Sequence, residues 1–475
     1  MGAIRRRIAQ KQTQRLVATA EQQVIAFRPQ PGPQEQFLAS AADIAIYGGA
    51  AGGGKTYGSI LETLRHKDVP DFYSVFFRRS MPQIHNPGAL WDTSRKVYPL
   101  TGAVPKEQPS EWRWPLSGAR VKMAHLEHES TVEDWQGSQV PLFLFDELTH
   151  FTRSMFFYMM SRNRSECGVR PYMRATCNPD PDSWVADFIG WWINQETGYA
   201  IPERSGKLRW FIRRGDDLVW ADSRDEVLAK VPGANPVEAK SLTFVPAKLE
   251  DNKILETANP EYRGNLLAMT RVIQERLLGG NWKIRANAGS YFRRSDCHII
   301  EEVPNDVVSW TRRWDLAATE PCESSPDPDF TCGLKMGKRK DGRFVVAHVD
   351  LVRRRANDVR ALVRRVAEND GRAVWVGIPQ DPAQAGKDQA ESYIRDLAGF
   401  KVYADHETGD KETRAEPAAA QWQHGNIDVV RGEWNEDFFG QLEAFPAKGT
   451  HDDAVDALSG AFKRVSAKLH SAYGV

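Results

Sequence analysis

The stretch Tyr47–Thr56, YGGAAGGGKT, decides the class of fold. From Gly49 to Thr56 it fits the P-loop pattern GxxxxGK followed by Ser or Thr. In this pattern glycines let backbone N–H groups surround phosphates, the lysine reaches the β- and γ-phosphates, and the hydroxyl ligates Mg²⁺. An apolar run before it predicts a strand and an amphipathic stretch after it predicts a helix, which is the context a P-loop needs. A flexible glycine linker is the alternative, but it gives no reason for a Lys-Thr pair at that place. The candidate nucleotide-binding residues are Gly49, Gly52, Gly54, Lys55 and Thr56.

A P-loop ATPase also needs acidic residues at the end of a second strand. The hydrophobic run Val140–Phe145 predicts a buried parallel strand, and it ends at Asp146-Glu147. We expect Asp146 to help hold Mg²⁺ and Glu147 to orient and deprotonate the attacking water, which distinguishes an ATP hydrolase from a nucleotide-binding protein. An apolar strand that ends in Asp-Glu is common, so this assignment depends on the P-loop.

Two more segments, Tyr73–Arg79 and Tyr172–Thr176, are predicted strands of the same sheet. The second continues into Cys177-Asn178-Pro179 and resembles the third motif of translocating ATPases, in which a polar residue at a strand tip senses the γ-phosphate. Thr176 and Asn178 are the candidates for this role. A strand that simply ends in an Asn-Pro turn explains the same residues.

Two further roles in the nucleotide site stay open. Gln34 either places its amide against adenine or lies at the start of a helix that follows Pro-Gly-Pro. An arginine that neutralises transition-state charge is expected as well. The candidates, among which the sequence does not choose, are Arg79, Arg162 and Arg164.

From Ala200 to about Ile300 the patterns are weaker. Leu208–Arg214 predicts a strand, and helical periodicity runs through Tyr262–Leu278 and stops at Gly279-Gly280. We interpret this part as the end of the ATPase domain followed by a connector.

The C-terminal part predicts a second α/β domain. Its predicted order is a strand over Trp310–Asp315, a hairpin of Thr331–Met336 and Phe344–Val349, a helix over Asn357–Asn369 and a buried strand over Ala373–Ile378. This is the order of a ribonuclease H-like core, in which the first and fourth strands lie side by side.

Acidic residues stand where a nuclease of that fold needs them. The four candidates are Asp315 after the first strand, Asp381 after the fourth, and Asp453 and Asp456 on one face of the last helix. A two-metal phosphodiesterase requires such a cluster, and buried like charges repel one another without the ions. Each acid alone also has a structural explanation, as a turn residue or a helix cap. We expect an edge role for Asp350 and a helix-start role for His451.

Composition limits the remaining classes. The 475 residues suffice for two or three domains, and 63 Lys+Arg against 63 Asp+Glu leave no net charge that would indicate a polyanionic partner. The 5 cysteines show no CxxC spacing, which argues against a disulfide framework and a cysteine zinc site. With glycine left out, no apolar run exceeds Met155–Met160, and no signal-like core follows the Arg5–Arg7 cluster, so we expect a cytoplasmic protein.

A P-loop ATPase followed in one chain by a ribonuclease H-like nuclease resembles the large terminase subunit of tailed bacteriophages. The resemblance extends from about Gln34 to Phe462. It rests on YGGAAGGGKT (47–56), LFLFDELTHF (142–151), ATCNP (175–179), RRWDLAAT (312–319) and HDDAVDAL (451–458). In some relatives an arginine finger lies just upstream of the Asp-Glu strand, where this chain reads Trp135-Gln136-Gly137-Ser138. The arginine finger is therefore unassigned.

The resemblance implies a motor, driven by ATP, that moves double-stranded viral DNA through the portal into a preformed capsid. It also implies a metal-dependent endonuclease, using Mg²⁺ or Mn²⁺, that cuts the concatemeric genome. The implied partners are a small terminase subunit, the portal protein and further copies of the chain in a ring on the portal. The resemblance implies the ring for the docked state and leaves room for a monomer in solution. The implied location is the host cytoplasm and not the mature virion.

We therefore predict an α/β chain with four parts: an N-terminal helical segment (1–35), a P-loop ATPase domain with a mostly parallel sheet (36–285), a linker (286–305) and a ribonuclease H-like nuclease domain (306–475). One alternative function is a P-loop DNA helicase or repair translocase whose C-terminal domain binds DNA without cutting it. Another is a transposase- or resolvase-type nuclease with a nucleotide switch. A switch GTPase is disfavoured, because no NKxD motif follows the P-loop.

Overall fold

The computed structural model describes residues 27–317, 319–321, 327–380, 384–406 and 409–467. Most of the predicted N-terminal helical segment and the predicted metal ligand Asp381 lie outside these residues. The chain divides into two units, the first formed by Met1–Pro260 with Arg276–Lys283 and the second by Glu261–Glu275 with Ile284–Val475. Within the described ranges, no helix combines the length and apolar character that a bilayer span requires.

Ten strands of the described residues form the sheet of the first unit. They are β1 Ile44–Gly49, β2 Tyr73–Arg78, β3 Val104–Lys106, β4 Glu111–Arg113, β5 Arg120–His125, β6 Leu142–Phe145, β7 Tyr172–Cys177, β8 Leu208–Arg214, β9 Asp217–Ala221 and β10 Lys240–Ala247. The helices that accompany them are α1 Pro33–Ala39, α2 Lys55–Leu64, α3 Met81–His85, α4 Leu90–Val97, α5 Arg153–Ser161, α6 Trp184–Phe188, α7 Arg224–Lys230 and α8 Lys253–Ala258.

The strand order in this sheet is β3-β4-β5-β2-β6-β7-β1-β10-β8-β9. The central strands from β5 to β10 are parallel, and antiparallel strands complete both edges. Strand β6 is buried along its length, with Phe143 and Phe145 in one core cluster and Leu142 and Leu144 in another. Successive side chains of a strand point to opposite faces, so this all-apolar strand is covered on both sides. The predicted buried parallel strand is confirmed.

The register of this sheet aligns the carboxyl ends of four strands. Gly48 of β1 lies opposite Cys177 of β7, and Phe145 of β6 lies opposite both Ala175 of β7 and Phe77 of β2. Ligands of open parallel sheets bind at this edge, because the chain leaves each strand there in a loop. The residues that follow the four strands are therefore brought to one place.

The second unit contains the remaining strands and helices of the described residues. They are β11 His298–Ile300, β12 Val307–Asp315, β13 Thr331–Arg339, β14 Phe344–Val352, β15 Trp375–Gln380, β16 Lys401–His406 and β17 Ile427–Val430, with α9 Glu261–Leu267, α11 Ala356–Asp370, α12 Gln384–Asp396, α13 Lys411–Gln423, α14 Asn435–Ala444 and α15 Asp453–Ser466. Helix α10, Arg271–Leu277, spans the boundary between the units.

The second sheet has the strand order β11-β17-β14-β13-β12-β15-β16. Strands β12 and β13 and strands β13 and β14 pair antiparallel, as the predicted hairpin requires, whereas β12 and β15 are parallel neighbours. The predicted adjacency of the first and fourth strands is confirmed. The mixed α/β fold class is confirmed for both units.

Two local expectations differ from the structure. The periodicity over Tyr262–Leu278 is divided into α9 and α10, and at the break the side-chain amide of Gln274 donates to the carbonyls of Leu267 and Met269. The segment 286–305, expected to be a linker, contributes β11 to the second sheet. Tyr291 and Phe292 of that segment are buried in the core of the second unit, which explains why it is held there.

The pairing of β12 with β13 generates a stability prediction. Gly333 lies opposite the buried ring of Trp314, and a Cβ at Gly333 would overlap that ring. We expect Gly333→Ala to lower the free energy of unfolding by about 1–3 kcal/mol, measured by urea denaturation of the full chain. Gly440→Ala is the matched control, since a Cβ there meets nothing within 4 Å in helix α14. A Gly333→Ala protein as stable as wild type would contradict this packing.

Candidate active sites

The P-loop joins β1 to α2 at the aligned edge of the first sheet. Gly49 has φ of 114°, and a Cβ there would lie 2.5 Å from the carbonyl oxygen of Ala247 on the neighbouring strand β10, so only glycine fits. Helix α2 begins after Gly54, whose φ of 73° is left-handed, and no side chain caps the helix. An uncapped helix N-terminus presents backbone N–H groups and a positive dipole end, which together bind phosphate.

Lys55 is the buried cation of this site. Its Nζ donates to the carbonyl oxygen of Ala50 at 2.6 Å and to Oδ1 of Asn178 at 2.9 Å. Burial lowers the pKa of Lys55, and the negative charges of Glu147 and Asp146 oppose this shift. A buried ammonium is tolerated only when it is paired and hydrogen-bonded, as it is here.

Asp146 lies directly after β6 and is almost fully buried, with 1% of its surface exposed. Arg78, at the end of β2, forms an ion pair with its Oδ2 at 2.6 Å, and Thr176 donates a hydrogen bond to its Oδ1. The hydroxyl of Thr56 lies 3.5 Å from both carboxylate oxygens. The two predicted Mg²⁺ ligands, Thr56 and Asp146, are thus side by side.

Glu147 adopts a backbone conformation that is uncommon for a non-glycine residue, with φ of 61°. Its backbone N–H donates to Thr176 Oγ1 at 3.3 Å. Asn178 donates to its carboxylate from Nδ2 at 3.0 Å and from the backbone N–H at 3.2 Å. The same Asn178 side chain accepts from Lys55, so it links the cation of the P-loop to the carboxylate after β6.

The other sequence candidates for the nucleotide site have different surroundings. Gln34 lies under the P-loop and donates to the carbonyl of Gly54 at 2.9 Å. Of the three candidate arginines, Arg79 contacts the sulfur of Met155, Arg162 lies over the ring of Tyr158, and Arg164 donates to the carbonyl of Ser138. The arginine that reaches the site is Arg78, which the sequence patterns did not single out.

In the second unit, carboxylates gather around the start of β13. Asp315 ends β12 and lies opposite Cys332 in the antiparallel pair. Burial raises the pKa of the Cys332 thiol well above its usual value, and the charges of Asp315, Asp453 and Asp350 raise it further. Asp315 and Asp453, both predicted metal ligands, therefore act on the same buried atom.

Asp453 begins helix α15 and is nearly buried, with 6% of its surface exposed. Its Oδ2 has no hydrogen-bond partner among the described residues. Burial raises the pKa of Asp453, a hydrogen bond from the backbone of Phe330 opposes the shift, and the charge of Asp329 adds to it. A buried carboxylate oxygen without a partner is costly, and a cation would relieve that cost.

A group of potential ligand atoms surrounds this oxygen. Asp329, His451 and Asp453 each offer one atom, and these atoms all lie within 4.8 Å of one another. Nδ1 of His451 is 3.5 Å from Asp329 and 3.9 Å from Asp453, while its Nε2 is 2.9 Å from Asp327. Carboxylate and imidazole groups are suitable ligands for divalent cations, so the residues present fit a metal ion.

The remaining predicted ligand among the described residues, Asp456, is placed differently. It is also buried, but its carboxylate is paired with Lys411 at 3.0 Å and with Arg414. Asp350, for which an edge role was expected, instead lies on β14 between β13 and β17 and is paired with Arg312 at 3.1 Å. Asp329 was not among the predicted ligands, and His451 was expected to be a helix-start residue. The available signal was the acidic stretch PDPDF at 326–330 and the HDD triplet at 451–453, which the fold brings together.

Comparison with known proteins gives two matches that together span most of the chain. The family described as "Terminase large subunit, T4likevirus-type, N-terminal" matches residues 46–299, and "Terminase RNaseH-like domain" matches residues 312–464. The chain belongs to the large terminase subunit family. No curated protein matches its sequence.

Solved structures of a large terminase share the fold. The large terminase of a thermophilic bacteriophage, in its second crystal form, aligns with a TM-score of 0.57 at 14% identity, covering 92% of this chain and 99% of that chain. The same phage protein in complex with ADP aligns with a TM-score of 0.53 at 13% identity, covering 90% of this chain and 98% of that one. Its complex with ATP-γ-S gives 0.52 at 13% identity, covering 91% and 98%. At these identities the likeness concerns the fold.

Oδ2 of Asp453, which has no hydrogen-bond partner among the described residues, generates a prediction for this terminase. Because removal of the buried charge relieves repulsion from Asp329, we expect Asp453→Asn to raise the thermal unfolding midpoint in EDTA. We also expect Mn²⁺ in excess to stabilise the wild-type chain by about 1–3 kcal/mol and the variant much less, measured by differential scanning calorimetry. The exposed Asp437 provides the matched control, Asp437→Asn. An Asp453→Asn protein that keeps the full Mn²⁺-induced shift would show that the ion binds elsewhere.

Proposed function

We propose that this terminase subunit is a DNA-packaging motor in which ATP hydrolysis drives double-stranded viral DNA into a procapsid and a second site cuts the concatemeric genome. The observation that carries the proposal is the link through Asn178, which holds both Lys55 and Glu147. A nucleotide-binding protein needs only the lysine. A hydrolase also needs a carboxylate held at a fixed distance from it to activate water.

In the proposed ATPase reaction, the backbone N–H groups at the start of α2 bind the phosphates and Lys55 leaves its loop carbonyls to pair with them. Glu147 orients the attacking water and accepts its proton on the carboxylate that Asn178 holds in place. Thr56 and Asp146 would hold Mg²⁺, which would supply charge neutralisation on the phosphate oxygens. Arg78 holds the carboxylate of Asp146 beside Thr56 through their ion pair. The γ-phosphate sensor is Asn178. Its side chain contacts both Lys55, which pairs with the phosphates, and Glu147, which accepts the proton of the attacking water.

In the proposed nuclease reaction, Asp315, Asp381, Asp453 and Asp456 hold the divalent cations, joined by Asp329 and His451. Two such ions, Mg²⁺ or Mn²⁺, held by these residues would supply activation of water and stabilisation of the leaving oxygen. Nε2 of His451 lies 2.9 Å from both Asp327 and Arg353, and Nδ1 faces Asp329 and Asp453. Asp456 is paired with Lys411 and Arg414 and would exchange these partners for an ion.

The proposed partners are double-stranded viral DNA, a small terminase subunit that recognises it, and the portal protein of the procapsid. Further copies of the chain complete a ring on the portal, in the host cytoplasm. These proposals rest on membership of the family and on the presence of two chemically different candidate sites in one chain.

The experiment that tests the function is a separation of the two activities. We expect Glu147→Gln to lower ATP turnover by about 100-fold or more, because it removes the general base. Lys55→Ala is expected to abolish turnover. Both variants should still nick supercoiled plasmid in the presence of Mn²⁺. Asp315→Asn and Asp453→Asn should abolish nicking and leave ATP turnover intact.

The matched control is Glu133→Gln, which alters an exposed glutamate of the same unit and should change neither activity. One substitution that destroys both activities in a folded protein would contradict the assignment of two separate sites. ATP turnover without any cleavage, with either metal, would favour the alternative of a DNA translocase whose C-terminal domain only binds DNA.

A further inference from the structure

Three consecutive carbonyl groups of the P-loop each accept a hydrogen bond from a side chain that lies outside the loop. The pairs are Asn252 Nδ2 with Gly52 O at 2.6 Å, Tyr47 OH with Gly53 O at 2.8 Å, and Gln34 Nε2 with Gly54 O at 2.9 Å. Asn252 directly precedes α8, Tyr47 lies in β1, and Gln34 lies in α1. All three are buried, with 9% or less of their surface exposed.

Gln30 connects two of these donors and fixes their orientation. Its backbone N–H donates to Oε1 of Gln34 at 2.6 Å, and its side-chain Nε2 donates to Oδ1 of Asn252 at 2.8 Å. The backbone N–H of Leu255 also donates to Oδ1 of Asn252, at 3.2 Å. Because each amide oxygen already accepts a hydrogen bond, each amide nitrogen must face the P-loop carbonyl.

This arrangement determines where the N–H groups of the loop point. A trans peptide unit is planar, and its C=O and N–H groups point in opposite directions. When the carbonyls of Gly52, Gly53 and Gly54 are held toward the protein, the following N–H groups, up to that of Lys55, point the other way. Successive N–H groups on one side of a loop form an anion-binding concavity.

We propose that Gln34, Tyr47 and Asn252 are positioning residues that hold the P-loop in its phosphate-binding conformation. The proposal rests on the proposed ATPase function and goes beyond it in assigning the amide of Gln34 to the triphosphate rather than to adenine. A contact with adenine would discriminate between bases. Positioning of the loop strengthens binding of any ligand that carries the same phosphates.

The test uses three near-isosteric variants of the full chain, each of which removes one donor. Gln34→Glu and Asn252→Asp keep the oxygens that accept from Gln30, and Tyr47→Phe removes only the hydroxyl. A fluorescent ATP analogue is displaced in turn by ATP, GTP and inorganic tripolyphosphate. We expect each variant to weaken all three competitors by the same factor, about 3- to 10-fold, with an unchanged ratio of ATP to GTP affinity.

Gln36→Glu is the matched control, because Gln36 lies on the same helix α1 and its amide is bonded to Ser205 instead of the P-loop. It should bind all three competitors like wild type. Weaker binding of ATP by Gln34→Glu with unchanged binding of tripolyphosphate would overturn the proposal in favour of a base contact. If all three variants bind the competitors like the control, the proposal is also overturned. In that case, ATP binding by the wild type would still support the proposed ATPase function. A wild-type chain that binds neither ATP nor tripolyphosphate would overturn both.

Discussion

The burial of the Lys55 ammonium is the constraint on which the nucleotide site depends. A cation removed from water must be surrounded by oxygen acceptors, and here they come from the P-loop and from Asn178 after β7. Asn178 in turn holds Glu147 after β6, so one buried charge ties together the ends of three adjacent strands. The parallel register of the sheet makes this possible, because it brings those strand ends to the same edge.

The second unit presents the opposite electrostatic problem. Asp315, Asp350 and Asp453 all act on the buried thiol of Cys332, and the Oδ2 atom of Asp453 has no hydrogen-bond partner among the described residues. Asp350 and Asp456 form ion pairs with arginine or lysine side chains, whereas Oδ2 of Asp453 faces the imidazole of His451 at 3.9 Å. A buried carboxylate oxygen that accepts no hydrogen bond from the described residues is the arrangement expected of a site that binds a metal ion.

Sequence reasoning succeeded where the signal is local. The P-loop, the buried strand that ends at Asp146, and the hairpin of β13 and β14 each follow from adjacent residues, and the fold predicted from them is confirmed. Arg78, Asn252 and Asp329 were not predicted, and His451 was expected only to start a helix, because their roles depend on which strands are neighbours and on contacts between residues far apart in the chain. Nothing around Gln34 in the sequence indicates that its amide faces Gly54. The roles proposed for Asp315, Asp381, Asp453 and Asp456 stay predictions.

The most direct test of the central claim, that the ends of β1, β6 and β7 form one nucleotide site around Lys55, is amide hydrogen exchange of the full chain with and without ATP-γ-S and Mg²⁺. The account predicts that peptides covering 49–56, 142–148 and 172–178 gain protection together, and that Lys55→Ala removes the gain from all three. Protection confined to the P-loop peptide, with unchanged exchange after β6 and β7, would contradict it.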